Sequence, residues 1–245
     1  MKIVKTENEI AENIMQKDAF LLEKLKDEPI LHLYEWKGDS LTYGYFINIE
    51  KHIDLATARK RGLSLARRPT GGGIVFHLWD LAFSFLMPSS NKNFFNNPLD
   101  NYKFVNSIVL DAVKKYLDSS LSFYEEEIKD AGEKVKEDFF KTDQKNNNFN
   151  HSPNFCMAKP SKYDLIYNNK KIAGAAQRKK LNGYLHQGSI SLIMPDVSYM
   201  QEVLINKEVV LDIFYNSHPI FKSDLKEKKE VIKKNLITSF SDKIF

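Results

Sequence analysis

The sequence predicts an α+β protein in which one mostly antiparallel β-sheet is flanked by α-helices. Apolar residues recur near helical spacing in two stretches, 8–26 and 100–117. β-Branched and aromatic residues, interrupted by turn residues, fill three others, 30–47, 63–87 and 163–194. The order helix, strands, helix, strands, helix is typical of a mixed fold built around an antiparallel sheet.

The first third of the chain yields a helix followed by strands. The helix over 8–26 ends at the sequence Asp-Glu-Pro. Residues 30–36 and 41–47 predict a hairpin, because the turn sequence Lys-Gly-Asp-Ser separates them. A short helix over 50–61 and a strand over 63–66 lead into three consecutive glycines.

The middle of the chain predicts a hairpin, a helix and a polar loop, in that order. Residues 74–77 and 80–87 predict a second hairpin with a tight turn. The stretch 100–117 is an amphipathic helix with apolar residues on one face. The polar stretch 125–154 has poor periodicity, and we expect it to be a mobile loop.

The last third is again strands and then helices. After residue 163, the sequences Tyr-Asn-Asn-Lys-Lys and Lys-Leu-Asn-Gly-Tyr predict two turns between strands. Two helices are expected near 198–207 and 223–240.

Composition restricts the class of protein. A net charge of +4 on 245 residues gives no strong footprint for nucleic acid or membrane, so neither is an expected partner. The single cysteine rules out a disulfide within the chain and a multi-thiolate zinc cluster. No two of the six histidines are spaced i, i+4, so no metal site is expected. The N-terminus lacks the apolar core of a signal peptide, which favours a cytoplasmic protein.

The stretch "ARRPTGGGIVFH" at 66–77 concentrates three of the ten glycines beside two arginines. Glycines permit close approach of a ligand to the main chain, and successive free N–H groups can bind an anion. Arg68 adds a donor suited to phosphate or carboxylate. The alternative is a glycine-rich hairpin corner. A P-loop is excluded, since a strand rather than a helix follows and Gly-Lys-Ser/Thr is absent.

Two further signals lie in the second half. Cys156 follows the polar stretch, where it is either a reactive thiol or a small buried apolar residue. Lys171 precedes a strand of small residues, 172–176, and could reach a ligand carbonyl or phosphate as a compact charge. The alternative is a solvated hairpin lysine beside a tightly packed strand.

Read together, "RRPTGGGIVFH" at 67–77 and "KKIAGAAQRKKLNGYLHQGSISL" at 170–192 resemble the lipoate–protein ligase and octanoyltransferase family, whose catalytic fold is shared with biotin–protein ligases. The family pattern is Arg-Arg-x-Ser/Thr-Gly-Gly-Gly/Arg with a downstream His, then Lys-Ile/Val-x-Gly-Ser/Ala-Ala-Gln and a closing His-Gly. The stretches 15–23 and 33–46 are similar to the family's first helix and first hairpin. We expect one catalytic domain over 1–245, without a C-terminal accessory domain, because too few residues follow the second motif to form one.

The resemblance implies transfer of a lipoyl or octanoyl group to one lysine of a lipoyl domain, in 2-oxoacid dehydrogenase E2 subunits or glycine-cleavage protein H. It makes Lys171 the residue that polarises the acyl carbonyl. The other positions that match its acyl or adenylate site are Arg68, Gly71, Gly72, Gly73, His77, Gly174, Ala175, Gln177 and Gly188.

Two branches of the family differ in how they activate the acyl group. Cysteine-type octanoyltransferases take octanoate from acyl carrier protein through an enzyme thioester, and their nucleophile lies in a stretch similar to "CMAKPSKYDL", which makes Cys156 the nucleophile. Ligases activate lipoate with ATP and Mg²⁺ through lipoyl-AMP. The first branch needs no tightly bound cofactor and has octanoate or lipoate as substrate. A non-catalytic acyl- or partner-binding module is the third alternative.

Some residues depart from the pattern. Gly73 is the third glycine favoured in ligases, where cysteine-type transferases usually have arginine. The closing His-Gly reads His-Gln-Gly, and a one-residue shift on a strand turns His186 to the other face of the sheet.

Overall fold

The computed structural model describes residues 1–117, 120–125, 154–158 and 160–244. Its helices are α1 (Ala11–Glu23), α2 (Leu55–Lys60), α3 (Pro98–Val113), α4 (Val197–Val203), α5 (Glu208–Asn216) and α6 (Leu225–Ile244). Its strands are β1 (Lys2–Glu9), β2 (Ile30–Trp36), β3 (Ser40–Tyr43), β4 (Ser64–Arg67), β5 (Ile74–Phe76), β6 (Asp80–Pro88), β7 (Leu121–Phe123), β8 (Leu165–Tyr167), β9 (Lys170–Lys180) and β10 (Gly183–Ser191). The predicted loop over 125–154 lies outside the described residues, apart from its two end positions.

Within those residues, a large sheet has the strand order β1-β2-β6-β10-β9-β8-β7. Its neighbouring strands are antiparallel except for β1 and β2, which are parallel. Helices α3 and α6 cover one face with a core that includes Phe83, Phe85, Val109 and Phe240. Helix α1 packs on the opposite face. The predicted α+β class is therefore confirmed.

A smaller sheet, ordered β4-β3-β5, was not predicted as a separate layer. It packs with α2, α4 and α5 around a second core. Both predicted hairpins of the N-terminal half are wrong, because β2 and β6 belong to the large sheet whereas β3 and β5 belong to the small one. Strand β6 is buried along its whole length and pairs with β2 and β10, so neither of its edges is open to β5. The segments 37–39 and 77–79 carry the chain between the two sheets.

Both turns predicted after residue 163 are confirmed. Asn168 and Asn169 join β8 to β9 with φ of 50° and 60°, the left-handed region that asparagine tolerates in tight hairpins. Leu181 and Asn182 join β9 to β10.

The other differences are local. Strand β1 was missed because its sequence is polar and it lies, largely exposed, at the edge of the sheet. The short helix predicted over 50–61 is α2, which begins after Asp54, a cap that accepts from the N–H groups of Ala56 and Thr57. Helix α5 was also missed. None of the helices in the described segments is long and apolar enough to cross a bilayer.

Candidate active site

The three glycines lie in the loop between β4 and β5, pressed between two other backbone segments. A Cβ on Gly44 would lie 1.9 Å from the carbonyl oxygen of Gly72, and the Gly44 N–H donates to the Gly73 carbonyl at 3.1 Å. On the other side, a Cβ on Gly73 would lie 2.2 Å from the carbonyl oxygen of Asn154. Gly72 has φ of +82°, which favours glycine. Sequence reasoning missed Gly44, although it lies within the stretch compared with the family's first hairpin.

Cys156 is placed against this loop by backbone pairing. Its N–H donates to the Ile74 carbonyl at 3.2 Å, and the Ile74 N–H donates to Asn154 at 2.6 Å. The Gly73 N–H donates to the Cys156 Sγ at 3.1 Å. A Cβ on Gly72 would lie 3.6 Å from the same sulfur. The thiol is therefore held against the glycine loop, with an N–H donor directed at it.

Arg68 brings a buried positive charge to the sulfur. Its guanidinium donates to the Thr42 hydroxyl at 2.8 Å and to the Gly73 carbonyl at 2.6 Å. Burial lowers the pKa of Arg68, and the interaction with Cys156 opposes that shift. Because guanidinium stays charged far above neutral pH, Arg68 places a permanent positive charge beside the sulfur.

Lys171 is aimed at the site by a β-bulge. Leu165 pairs with Ala173 and Ile166 pairs with Lys171, so β9 has one extra residue, Ile172, at this point. Ile172 and Ala173 both enter the core. The bulge thus breaks the alternation and turns Lys171 to the same face as Gly174.

The Lys171 ammonium is gripped from two sides. Its Nζ lies 2.6 Å from Asp164 Oδ2 and donates to the carbonyl oxygen of Cys156 at 2.6 Å. A Cβ on Gly174 would lie 2.4 Å from Lys171 Cε. The missing side chain of Gly174, a position that the family resemblance assigns to the acyl or adenylate site, therefore makes room for the lysine itself.

Asp164 and Tyr102 form the support behind this lysine. Asp164 is fully buried and accepts from the Ser161 N–H at 2.6 Å and from the Ser161 hydroxyl at 2.8 Å. The Tyr102 hydroxyl donates to its other oxygen and accepts from the Ala175 N–H at 2.8 Å. Burial, with the adjacent carboxylate, raises the pKa of Tyr102 well above its usual range. Sequence reasoning missed Tyr102, which looks like any partly buried aromatic of α3.

His77 lies at the end of β5 in a buried polar cluster. Its Nδ1 is 2.7 Å from Asp80 Oδ2, and its Nε2 is 2.7 Å from the Thr42 hydroxyl that also accepts from Arg68. The Trp36 ring stacks on the imidazole at 4.6 Å. The imidazole is thus oriented beside Arg68 by contacts on both of its nitrogens.

On β10 the side chains alternate as the shifted His-Gln-Gly predicted. Gln187 points to the site and accepts from the Thr70 hydroxyl at 2.7 Å, while its amide donates to Asp18 at 2.6 Å. His186 points to the opposite face, where burial lowers its pKa to about 3. The side chain of Gln177 lies 2.9 Å from Nδ1 of this histidine, on the side of the sheet away from the site. A Cβ on Gly188 would lie 2.5 Å from the Phe83 ring, so this glycine makes room for the core.

These groups meet at a cavity between the two sheets. Of the predicted site residues, those that line it are Arg68, His77, Cys156, Lys171, Gly174, Ala175 and Gly188. Met15, Tyr34, Val75 and Ala82 add apolar wall. A thiol, an N–H donor and two cations beside apolar walls suit chemistry on the carbonyl of an apolar acyl group.

A family model described as the lipoyl protein ligase A/B catalytic domain matches residues 9–219. The chain belongs to this family. The resemblance stated from the two motifs is therefore confirmed.

Within the lipoyl protein ligase A/B family, similar curated proteins carry the name octanoyltransferase LipM. The protein of Staphylococcus epidermidis is 29% identical over 200 residues, which cover 82% of this chain and 63% of that protein. The protein of Geobacillus kaustophilus is 29% identical over 218 residues, covering 87% and 69% respectively. The chain thus spans about two thirds of the length of these relatives.

Solved structures with the same fold are lipoate–protein ligases. A lipoate–protein ligase A bound with ATP matches with a TM-score of 0.68 and 22% identity, over 99% of this chain and 84% of that one. A bipartite lipoate–protein ligase from Thermoplasma acidophilum, described with its E2 lipoyl domain, matches with a TM-score of 0.68 and 21% identity over the same shares. At this identity the likeness establishes the fold of the family.

Proposed function

We propose that this chain is an octanoyltransferase that moves an octanoyl group from acyl carrier protein to the acceptor lysine of a lipoyl domain through a thioester on Cys156. The observation that carries the proposal is the position of the Cys156 sulfur, which accepts the Gly73 N–H at 3.1 Å beside the buried Arg68. A cysteine that served only as apolar packing would have no use for a directed N–H donor and an adjacent cation. The names of the similar curated proteins agree with this activity.

In the first step, the Cys156 thiolate attacks the carbonyl carbon of the carrier thioester. The bond from that carbon to the carrier sulfur breaks, and the carrier thiol leaves with a proton from solvent. Arg68 and the Gly73 N–H balance the charge of the attacking sulfur. As the sulfur becomes neutral, the same N–H is released to face the oxygen of the tetrahedral intermediate.

Lys171 supplies the second donor. Its ammonium already lies 2.6 Å from the carbonyl oxygen of Cys156, so it shares the immediate surroundings of the sulfur. When the acyl carbonyl arrives, the lysine N–H groups polarise it, while Asp164 keeps the side chain in place from behind. One donor of this kind is typically worth about 3 kcal/mol in the transition state.

In the second step, the neutral amine of an acceptor lysine attacks the thioester carbon. The bond from that carbon to the Cys156 sulfur breaks, an amide forms, and the amine proton leaves with the departing thiolate. A protein lysine fits as acceptor because a related fold was solved in a lipoylation system together with an E2 lipoyl domain. A free thiol nucleophile also needs a reducing compartment, which is consistent with the cytoplasm.

ATP-dependent lipoate ligation is the second candidate, because a lipoate–protein ligase of this fold binds ATP. It would use the same loop, with Mg²⁺ assisting at the phosphates. Asp164 is the carboxylate nearest to Lys171 in the described site, and its oxygens are already taken by Lys171, Ser161 and Tyr102. That arrangement fits a lysine-holding carboxylate better than a metal ligand.

The test is intact mass spectrometry of the protein after incubation with octanoyl carrier protein. A gain of one octanoyl group that is released by hydroxylamine identifies a thioester, and since the chain has one cysteine the adduct is assigned to Cys156. Adding a lipoyl domain then moves the group to the acceptor. The Cys156→Ala variant should show neither event.

Two other outcomes would redirect the proposal. Full transfer by Cys156→Ala, or lipoylation that requires lipoate and ATP with release of pyrophosphate, would favour the ligase. Binding of octanoate with no transfer under either condition would favour a non-catalytic module.

A further inference from the structure

Two exposed aromatic residues, Tyr45 and Phe46, lie beside the glycine loop on its outer side. Phe46 is 89% exposed and Tyr45 is 49% exposed, and their rings meet edge to face with centroids 5.2 Å apart. Backbone hydrogen bonds hold these two residues in place. The Tyr45 N–H donates to the Thr70 carbonyl at 2.9 Å, and the Ile47 N–H donates to the Gly44 carbonyl at 3.0 Å. Fixed, exposed aromatic side chains are enriched where proteins bind one another.

Two arginines lie beside these aromatic residues. Arg178 is exposed, donates to the Pro69 carbonyl at 3.0 Å, and stacks its guanidinium 5.7 Å from the Tyr45 ring. Arg67 is also exposed and lies 5.7 Å from the Tyr43 ring. The segments that build this surface, 43–47, 66–73 and 176–180, contain no aspartate or glutamate. We call Tyr45, Phe46, Arg67 and Arg178 the aromatic–arginine patch.

The aromatic–arginine patch lies within a short reach of the sulfur. The position a Gly72 side chain would take is 3.4 Å from Ala176 Cβ and 3.6 Å from Cys156 Sγ. Arg178 follows Ala176 by two residues on β9, roughly 7 Å along the strand. A protein bound to the aromatic–arginine patch would therefore lie at the edge of the candidate active site.

We propose that the aromatic–arginine patch docks the protein that delivers the acyl thioester, by way of an acidic surface and the phosphodiester of its pantetheine arm. This rests on the proposed function. The patch fits the donor because guanidinium pairs with phosphate and carboxylate oxygens, often with two hydrogen bonds. It fits the acceptor less well, because the acceptor inserts a lysine and the arginines repel a cation.

The experiment measures binding and transfer separately. In the Cys156→Ala background, which cannot accept the acyl group, the affinity for octanoyl carrier protein is measured for Phe46→Ala and Arg178→Glu. Each substitution should weaken binding about tenfold, and the loss through Arg178→Glu should shrink at high salt. Phe20→Ala, on the exposed surface of α1, and Arg59→Glu, on α2, are matched controls that should bind as the parent does.

With Cys156 present, the same variants are compared on two donors. The value of kcat/KM with octanoyl carrier protein should fall about tenfold, while octanoyl-pantetheine, which has neither a protein nor a phosphate, should be used as by the unchanged chain. An equal loss with both donors would show that the loop was disturbed and would overturn the docking role, as would unchanged carrier affinity. A raised KM for the lipoyl domain at constant carrier affinity would assign the patch to the acceptor instead.

Failure of the proposed function has a different signature. A chain that transfers from neither donor but binds the carrier through the patch would refute the thioester mechanism and leave the docking proposal standing. A chain that transfers from octanoyl-pantetheine and binds the carrier equally with and without the patch would refute the docking proposal alone.

Discussion

The substitution Gly174→Ala is a direct test of how Lys171 is held. The new Cβ would lie 2.4 Å from Lys171 Cε and 2.6 Å from its Nζ, whereas ordinary contacts begin near 3.4 Å. Strand β9 is paired on both sides here, with Ala173 opposite Leu165 and Ala175 opposite Gly188, so the backbone has little freedom to move. The lysine must therefore give way by about 1 Å.

The cost follows from what the displacement breaks. The contacts of Nζ with Asp164 and with the Cys156 carbonyl are both 2.6 Å, and a shift of about 1 Å takes them out of hydrogen-bonding range. A misplacement of that size costs about 100-fold in rate, and loss of one transition-state donor costs about 100- to 1,000-fold. We expect kcat for octanoyl transfer to fall about 100-fold, equivalent to about 2.7 kcal/mol.

The assay is steady-state transfer from octanoyl carrier protein to a lipoyl domain, with the thermal midpoint measured beside it. Lys171→Ala gives the largest loss of kcat that can be attributed to the lysine. Because Gly174→Ala acts through the same group, the double variant should be no slower than Lys171→Ala alone. This explanation would be refuted if the losses of kcat in the two single variants multiplied in the double variant. It would also be refuted if Gly174→Ala raised KM with kcat unchanged.

Two other substitutions test the buried polar groups around the site. Tyr102→Phe removes the hydroxyl that contacts Asp164, so kcat should fall about tenfold with KM unchanged. Tyr184→Phe removes a buried hydroxyl that has no hydrogen-bond partner among the described residues, and it should keep the rate. Equal rates for the two variants would leave Tyr102 a packing residue. Burial holds the pKa of His186 near 3, so the stability that its neutral form provides is complete above pH 6.5 and is lost as pH falls toward 3. Between pH 7 and pH 5 the free energy of unfolding should drop about 2 kcal/mol more for the unchanged chain than for His186→Phe, as measured in urea. Equal pH slopes would count against a buried neutral histidine.

Local signals in the sequence were enough to predict most of the C-terminal half. The paired asparagines at 168–169 make a tight turn by their own tolerance of positive φ, and β9 and β10 follow from it. The two sheets were not predictable in the same way. A turn signal says that the chain reverses, but the pairing of β6 with β2 and β10 depends on strands far apart in sequence.

In the candidate site, too, some residues were predictable from the sequence and others were not. Arg68, Cys156 and Lys171 were marked by residue type and by the family motifs, and the structure brings all three to one cavity. The bulge at Ile172 leaves no mark in the sequence, because Ile172 and Ala173 are equally suited to either face. Tyr102 becomes significant once α3 is laid across Asp164, a long-range contact that no local pattern encodes.

The glycine at position 73 has a structural explanation that does not depend on whether the enzyme uses ATP or a thioester. As the third glycine of the loop it matches ligases, while Cys156 matches transferases. In this chain a side chain at 73 would strike the Asn154 carbonyl at 2.2 Å, on the segment that carries Cys156, and the Gly73 N–H is the donor to the sulfur. A larger residue would push away the segment that positions the thiol. In this chain the glycine is therefore explained by its packing against the segment that carries Cys156, and its presence alone does not argue for an adenylate.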